Sequence, residues 1–184
     1  MGPRAKLLLL AGLFALPIAA SVLVYRFASP KPTANYGELL LPPATITALP
    51  FEAPGGGRFS FSELAGQWVL VASDSGDCPA GCVAKLDTLR QVRLALGRNA
   101  PRVARVLVVD DLRPVAPAAL EAHEGMRIAI APRGAANPPG ATNDRAHIYL
   151  VDPNGNVMMR WPAQADRKRM LGDLQRLLKA SQIG

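Results

Sequence analysis

"QWVLVASDSGDCPAGCVAKLDTLRQVRLALG", Gln67 to Gly97, decides the fold of this 184-residue chain. It opens with QWVLVAS, an apolar run carrying β-branched and aromatic residues, which suits a central strand buried on both faces. It closes with Val83, Leu86, Leu89, Val92 and Leu96 at helical spacing, ending at Gly97. That pattern predicts a helix beginning at or near Cys82. Between strand and helix lies DSGDCPAGC, which holds the only two cysteines, Cys78 and Cys82, with three residues between them. Two thiols this close can be a disulfide staple, a redox couple or half of a metal site. At a helix start the free N–H groups and the macrodipole stabilise a thiolate, while Asp77 opposes it. Residues four apart on a helix share a face, with Cα atoms inside the range a disulfide tolerates. The spacing alone leaves all three uses open.

Downstream, RVARVLVVDD reads as a second buried strand, APAALEAHEGM as a shorter helix and RIAIA as a short strand. PRGAANPPGATNDRA is a loop, and HIYLVDPNGNVMMRWP is a hairpin turning on Pro153, Asn154 and Gly155. The closing ADRKRMLGDLQRLLKASQIG is an amphipathic helix, with Met170, Leu171, Leu174, Leu177 and Leu178 on its apolar face. Upstream, Phe51 to Pro54 and Arg58 to Phe61 can pair as a hairpin across Gly55 to Gly57. A phosphate-binding loop is the sharper reading of those glycines, but no Lys-Ser/Thr pair follows them. Strand, helix, strand, helix, hairpin and closing helix give an α/β class with a mixed sheet, the order of a thioredoxin-like domain over residues 51–184. In that architecture the loop after the first central strand carries the chemistry, and Cys78 and Cys82 stand there.

Before the domain, residues 26–50 are dense in proline without helical periodicity and predict an extended tether. Leu7 to Tyr25 is an uncharged apolar run, preceded by Arg4 and Lys6 in a short segment of residues 1–6. Its length matches a hydrocarbon core of about 30 Å at about 1.5 Å rise per residue. A cleaved signal peptide is the competing reading, but its apolar core is usually about 7–15 residues and ends at a small-x-small site. The longer run and the absence of a clean A-x-A predict an uncleaved transmembrane helix over residues 7–25. Basic residues ahead of it predict a cytoplasmic N-terminus and an exported domain, which in a bacterium means an inner-membrane protein facing the periplasm. There two cysteines can be oxidised.

Net charge is +7, and Arg4 and Lys6 account for part of that excess. Aromatics are only 5% of the residues and do not interleave with a basic run, so nucleic-acid binding has no support. The basic residues of the closing helix, Arg167, Lys168, Arg169, Arg176 and Lys179, read as a solvated face.

Taken together, "FSFSELAGQWVLV", "CPAGC" and "YLVDPNGNV" resemble the Sco/SenC proteins, membrane-anchored thioredoxin-like factors of cytochrome c oxidase assembly. The resemblance covers residues 51–184, and the single anchor fits it. It implies a metallochaperone or assembly factor more than a turnover enzyme, with copper as the metal and an oxidase subunit or another assembly factor as partner. In that family two cysteines and a histidine bind copper, and the thiols act on cysteines of the oxidase's copper subunit. Cys78, Pro79 and Cys82 match the family loop, whereas Val83 stands where it has a second proline. The family histidine lies about five residues before the tyrosine of Y-L-x-D-P, and here Asp144 holds that place. The nearest histidine, His147, is the candidate third ligand beside Cys78 and Cys82, although strand parity places it on the face of Tyr149. His123 reads as an exposed helix-end residue.

Two other readings stand beside this one. A periplasmic thiol-disulfide oxidoreductase is opposed by the three-residue spacing and by the lack of a proline just before HIYL. A non-catalytic assembly partner with a structural disulfide is opposed by the small loop-closure gain of so short a ring.

Overall fold

In the computed structural model, residues 2–27, 35–111, 113–117, 121–132 and 140–181 are described. The chain divides into two units, Met1–Asn35 and Tyr36–Gly184. The first contains helix α1, Pro3–Phe27, with Pro17 inside it. Over Pro3–Val24 its mean hydropathy is 2.6, long and apolar enough to cross a membrane.

The second unit is built on one mixed sheet. Its strands are β1 (Glu38–Thr45), β2 (Phe51–Glu52), β3 (Arg58–Phe59), β4 (Trp68–Asp74), β5 (Val103–Val109), β6 (Arg127–Ile130), β7 (His147–Val151) and β8 (Asn156–Pro162). They lie in the order β1-β8-β7-β4-β5-β6-β2-β3. β4, β5 and β6 are parallel, and β7 runs antiparallel to β4. Helices α2 (Ala80–Ala95) and α3 (Arg167–Ala180) complete the unit.

Every residue of β4 is buried, because both faces of the sheet are covered. Trp68, Leu70 and Ala72 join the cluster containing Leu86, Leu89, Leu174 and Met170 from the two helices. Val69 and Val71 join an opposite cluster with Phe51, Phe59 and Phe61. This two-sided burial is why the strand reads as a continuous apolar run. Each fully buried Leu or Val contributes about 1.5–3 kcal/mol relative to exposure, so these clusters hold the central strands in place. The three phenylalanines meet edge to face, with Phe51 and Phe61 centroids 5.1 Å apart, close to the geometry ring quadrupoles prefer.

The hairpin across Gly55 to Gly57 forms, pairing Phe51 with Phe59. Three expectations are corrected. The tether predicted over residues 26–50 contributes β1, which pairs with β8 from Glu38 opposite Arg160 to Thr45 opposite Asn156. Its two prolines, Pro42 and Pro43, are accommodated because β1 pairs on one side only and its register shifts between Leu39 and Ala44. Helix α2 starts at Ala80, and its inner face runs through Cys82, Lys85, Leu86, Leu89 and Val92, leaving Val83 exposed. His123 is only 2% exposed, the reverse of a helix-end surface residue. Residues 118–120, within the shorter helix expected over 116–126, and residues 133–139 of the proline loop lie outside the described residues.

Candidate functional site

The loop after β4 enters α2 through Cys78 and Pro79, the latter at the cap position of the helix. Cys78 and Cys82 are joined as a disulfide with Cα atoms 5.0 Å apart. Cys78 has φ +44°, the one non-glycine residue with positive φ among those described. A side chain in that region costs on the order of 1 kcal/mol or more and persists only where its surroundings fix it. Both sulfurs belong to the cluster beneath α2 and α3. Cys82 is 1% exposed and Cys78 7%, so Cys78 is the more approachable of the two.

Two sets of contacts fix this loop. Beneath it, Lys85 sits one turn after Cys82 and points into the domain. Its Nζ lies 2.6 Å from Asp74 Oδ2 and donates to Ser73 O at 2.7 Å and Arg145 O at 2.9 Å. An ammonium has three donors, and these contacts use all of them. Beside it, Asp111, Arg113 and Ala116 close on Gly76 and Asp77. Gly76 N–H donates to Asp111 Oδ1 at 3.0 Å, Ala116 N–H donates to Gly76 O at 2.9 Å, and Arg113 pairs with Asp77. A Cβ at position 76 would collide with the Arg113 and Pro114 carbonyl oxygens, so this approach requires glycine. Arg145 spans from the other side to Asp110 and Asp111, and Ser73 donates to Asp110.

The clamp is pH-sensitive through Asp111. Burial pushes its carboxyl up, but the Ser75 hydroxyl, the Gly76 and Arg113 N–H groups and Arg145 outweigh burial and lower it from 3.8 to about 2. A depressed folded-state value stabilises the fold above the ordinary carboxylate range, and that contribution is lost as pH falls through the folded value. Stability should therefore drop between about pH 4 and 2, more steeply than in Asp111→Asn, as read from acid unfolding followed by circular dichroism. Parallel curves for the two proteins would contradict this role.

His147 is held elsewhere. Its Nδ1 lies 2.6 Å from Asp144 Oδ2, and the same oxygen accepts the Tyr149 hydroxyl at 2.7 Å. Burial pushes the Asp144 carboxyl up, but bonds from Tyr149, the Ala146 N–H and His147 leave it below its usual value. Burial, then the Asp144 contact, pushes the Tyr149 phenol up to about 12. Ile148 and Leu150 of β7 pack in the cysteine cluster, whereas Tyr149 and Val151 pack in the opposite one. Alternation along β7 puts His147 with Tyr149, away from the cysteines. Among the described residues no group of three or more His, Cys, Asp or Glu is arranged to hold a metal. The site therefore brings together Cys78 and Cys82 and does not bring His147 to them. What the sequence did not single out is the polar frame, Asp74, Lys85, Asp111, Arg113 and Arg145.

A mixed sheet whose first parallel strand leads through a cysteine loop into a helix defines a thioredoxin-like domain. The chain belongs to the family described as transmembrane-like, thioredoxin-like, C-terminal domain, whose model matches residues 68–181. That description and the apolar helix α1 fit a single-pass membrane anchor.

No curated protein matches this sequence. Among solved structures, apo Sco1 from Thermus thermophilus is similar at 22% identity and TM-score 0.63, covering 78% of this chain and 97% of that one. Yeast Sco1 with copper bound is similar at 18% identity and TM-score 0.59, covering 82% and 96%. The bacterioferritin comigratory protein of Xanthomonas campestris, studied for alkyl peroxide reduction, matches at 16% identity and TM-score 0.52, covering 78% and 97%. In fold the domain is thioredoxin-like and similar to the Sco proteins.

Proposed function

We propose that this protein is a membrane-anchored, Sco-like factor that assists cytochrome c oxidase biogenesis through reversible thiol–disulfide exchange at Cys78 and Cys82. In this reading α1 anchors it in a bacterial inner membrane with the N-terminus cytoplasmic and the domain in the periplasm. Its partner is an oxidase subunit or another assembly factor. The observation that carries the reading is the placement of the cysteines: a small disulfide ring at a helix start, with Cys78 at positive φ and the less deeply buried residue of the two.

In the reduced chain the Cys78 thiolate would attack a partner disulfide, forming a Cys78–partner bond and releasing one partner thiolate. Cys82 would then attack Cys78, closing the ring and releasing the second partner thiol. Two electrons pass to the partner, and the same steps run backwards oxidise a partner dithiol. The nearby macrodipole stabilises the thiolates that form.

Copper delivery is the second reading, supported by the fold's likeness to copper-bound yeast Sco1. Reduced Cys78 and Cys82 are soft donors suited to Cu(I). With Asp144 at the family's histidine position and His147 on the other face, a copper cargo would rest on the two thiolates.

The test uses the reduced full chain in detergent with oxidised glutathione as probe. Cys82→Ser should accumulate a stable mixed disulfide through Cys78, whereas Cys78→Ser should react at least about tenfold more slowly because Cys82 is buried. Equal, slow reaction of both variants would make the bridge a staple. In an anaerobic Cu(I) titration the copper reading requires wild type to bind more tightly than Cys78→Ser, with His147→Ala matching wild type.

A further inference from the structure

A groove of about 390 Å³ lies beside the cysteine loop, lined by Pro54, Arg113, Pro114, Val115 and Ile130 among others. We propose that it binds an extended apolar segment bearing an acidic side chain within a few residues of its cysteine, in the protein that exchanges thiols with Cys78. This rests on the exchange reading above and adds to it how the partner is selected.

Arg113 on the groove wall pairs with Asp77, the residue immediately before Cys78. Ala116, next to the wall residue Val115, donates to Gly76 O. Val115 and Ile130 pack against the buried cluster that contains both cysteines. A segment lying on Pro114 and Val115 is therefore carried to the loop that holds Cys78, the less deeply buried of the two cysteines. The groove is mainly apolar, and its volume falls in the range of about 300–1,000 Å³ typical of sites that take a short peptide or small ligand.

Among the described residues Arg113 is the one cation on the groove wall, and its side chain is largely exposed. A guanidinium has five N–H donors, so the pair made with Asp77 through Nη1 does not exhaust it. The other wall charge, Asp111, is held by the Gly76 and Arg113 N–H groups and by Arg145. With Arg4 and Lys6 on the cytoplasmic side in this reading, taking these two from the net +7 leaves +5 for the rest of the chain, which favours encounter with an acidic partner. A carboxylate on the bound segment would meet Arg113 at the edge of the groove, close to the Cys78 loop. Surface pairing of this kind selects partners by rate more than by affinity.

The experiment uses the oxidised full chain in detergent and two synthetic peptides. Each has one cysteine flanked by valine and alanine, and they differ only by a Glu or a Lys two positions from the cysteine. Mixed-disulfide formation is followed by mass, and each rate is divided by the same protein's rate of reduction by dithiothreitol, which cancels general effects on Cys78. The wild type should prefer the Glu peptide by about fivefold, the upper range for one exposed pair. Arg113→Glu should reverse the preference, and Val115→Asp should slow both peptides. An unchanged preference in Arg113→Glu, or unchanged rates in Val115→Asp, would overturn the groove. If dithiothreitol fails to open the disulfide of the wild type, the exchange reading itself fails, which is a separate outcome.

Discussion

Lys85→Met is expected to remove about 3–5 kcal/mol of folding stability, the usual loss when one partner of a buried ion pair is deleted. Lys85 and Asp74 are both almost fully buried, and the Nζ–Oδ2 separation is 2.6 Å. With methionine in place, Asp74 keeps one bond from the Ser75 N–H at 2.9 Å but loses its counter-charge. The carbonyls of Ser73 and Arg145 lose their donor as well. Adding Asp74→Asn to Lys85→Met should recover more than half of the loss, because a neutral pair no longer buries a lone charge. The measurement is urea unfolding of all three variants. A cost below about 1 kcal/mol for Lys85→Met would place the pair in a solvated environment and contradict the packing described. The consequence for the site is direct, since Lys85 ties α2 to the end of β4 and to the residues before β7, the frame on which the cysteine loop rests.

Asp173→Ala should cost a similar amount, about 3–5 kcal/mol, and should release β1. The carboxylate is fully buried on α3. It accepts from the Tyr36 N–H at 3.0 Å, the Gly37 N–H at 2.8 Å and Trp161 Nε1 at 2.9 Å, and Arg176 pairs with it. Removing it leaves three buried or half-buried donors without that acceptor. Gly37 packs so closely on Trp161 and Met159 that a Cβ there would collide with both side chains. Hydrogen exchange should show β1 amides losing protection first, while β4 and β5 keep theirs. Uniform loss across the sheet, or a cost below about 1 kcal/mol, would show that Asp173 does not fasten the entry of the domain.

These two carboxylates also show where sequence reading stops. The central strands, the β7–β8 hairpin and α3 were legible because burial on one or two faces writes a period into the residues: WVLVAS for β4, Met170, Leu174 and Leu178 for α3. β1 was not legible, because Pro42 and Pro43 signal a tether and only the edge position of the strand makes them acceptable. On α2 the apolar spacing pointed at Val83, whereas the inner face actually runs through Cys82 and Lys85. A lysine reads as surface by type, and nothing local reveals that Asp74, eleven residues earlier, is buried with it. Arg105 follows the same rule. It lies within β5, buried, with Nη2 donating to Glu124 O at 2.6 Å. The cysteine pair was legible from its place between strand and helix, and the parity of β7 placed His147 with Tyr149. The clamp made by Asp110, Asp111, Arg113 and Ala116 was not legible, because it depends on where two loops meet.

On this reading Cys78 and Cys82 form an exchangeable couple rather than a staple. The reduction potential of the pair in the full chain, equilibrated against glutathione and dithiothreitol buffers, tests it most directly. A short ring gains little from loop closure and Cys78 holds a positive φ, so the account predicts a value above about −300 mV, within reach of biological thiol couples. A value below about −300 mV, where structural bridges lie, would contradict it.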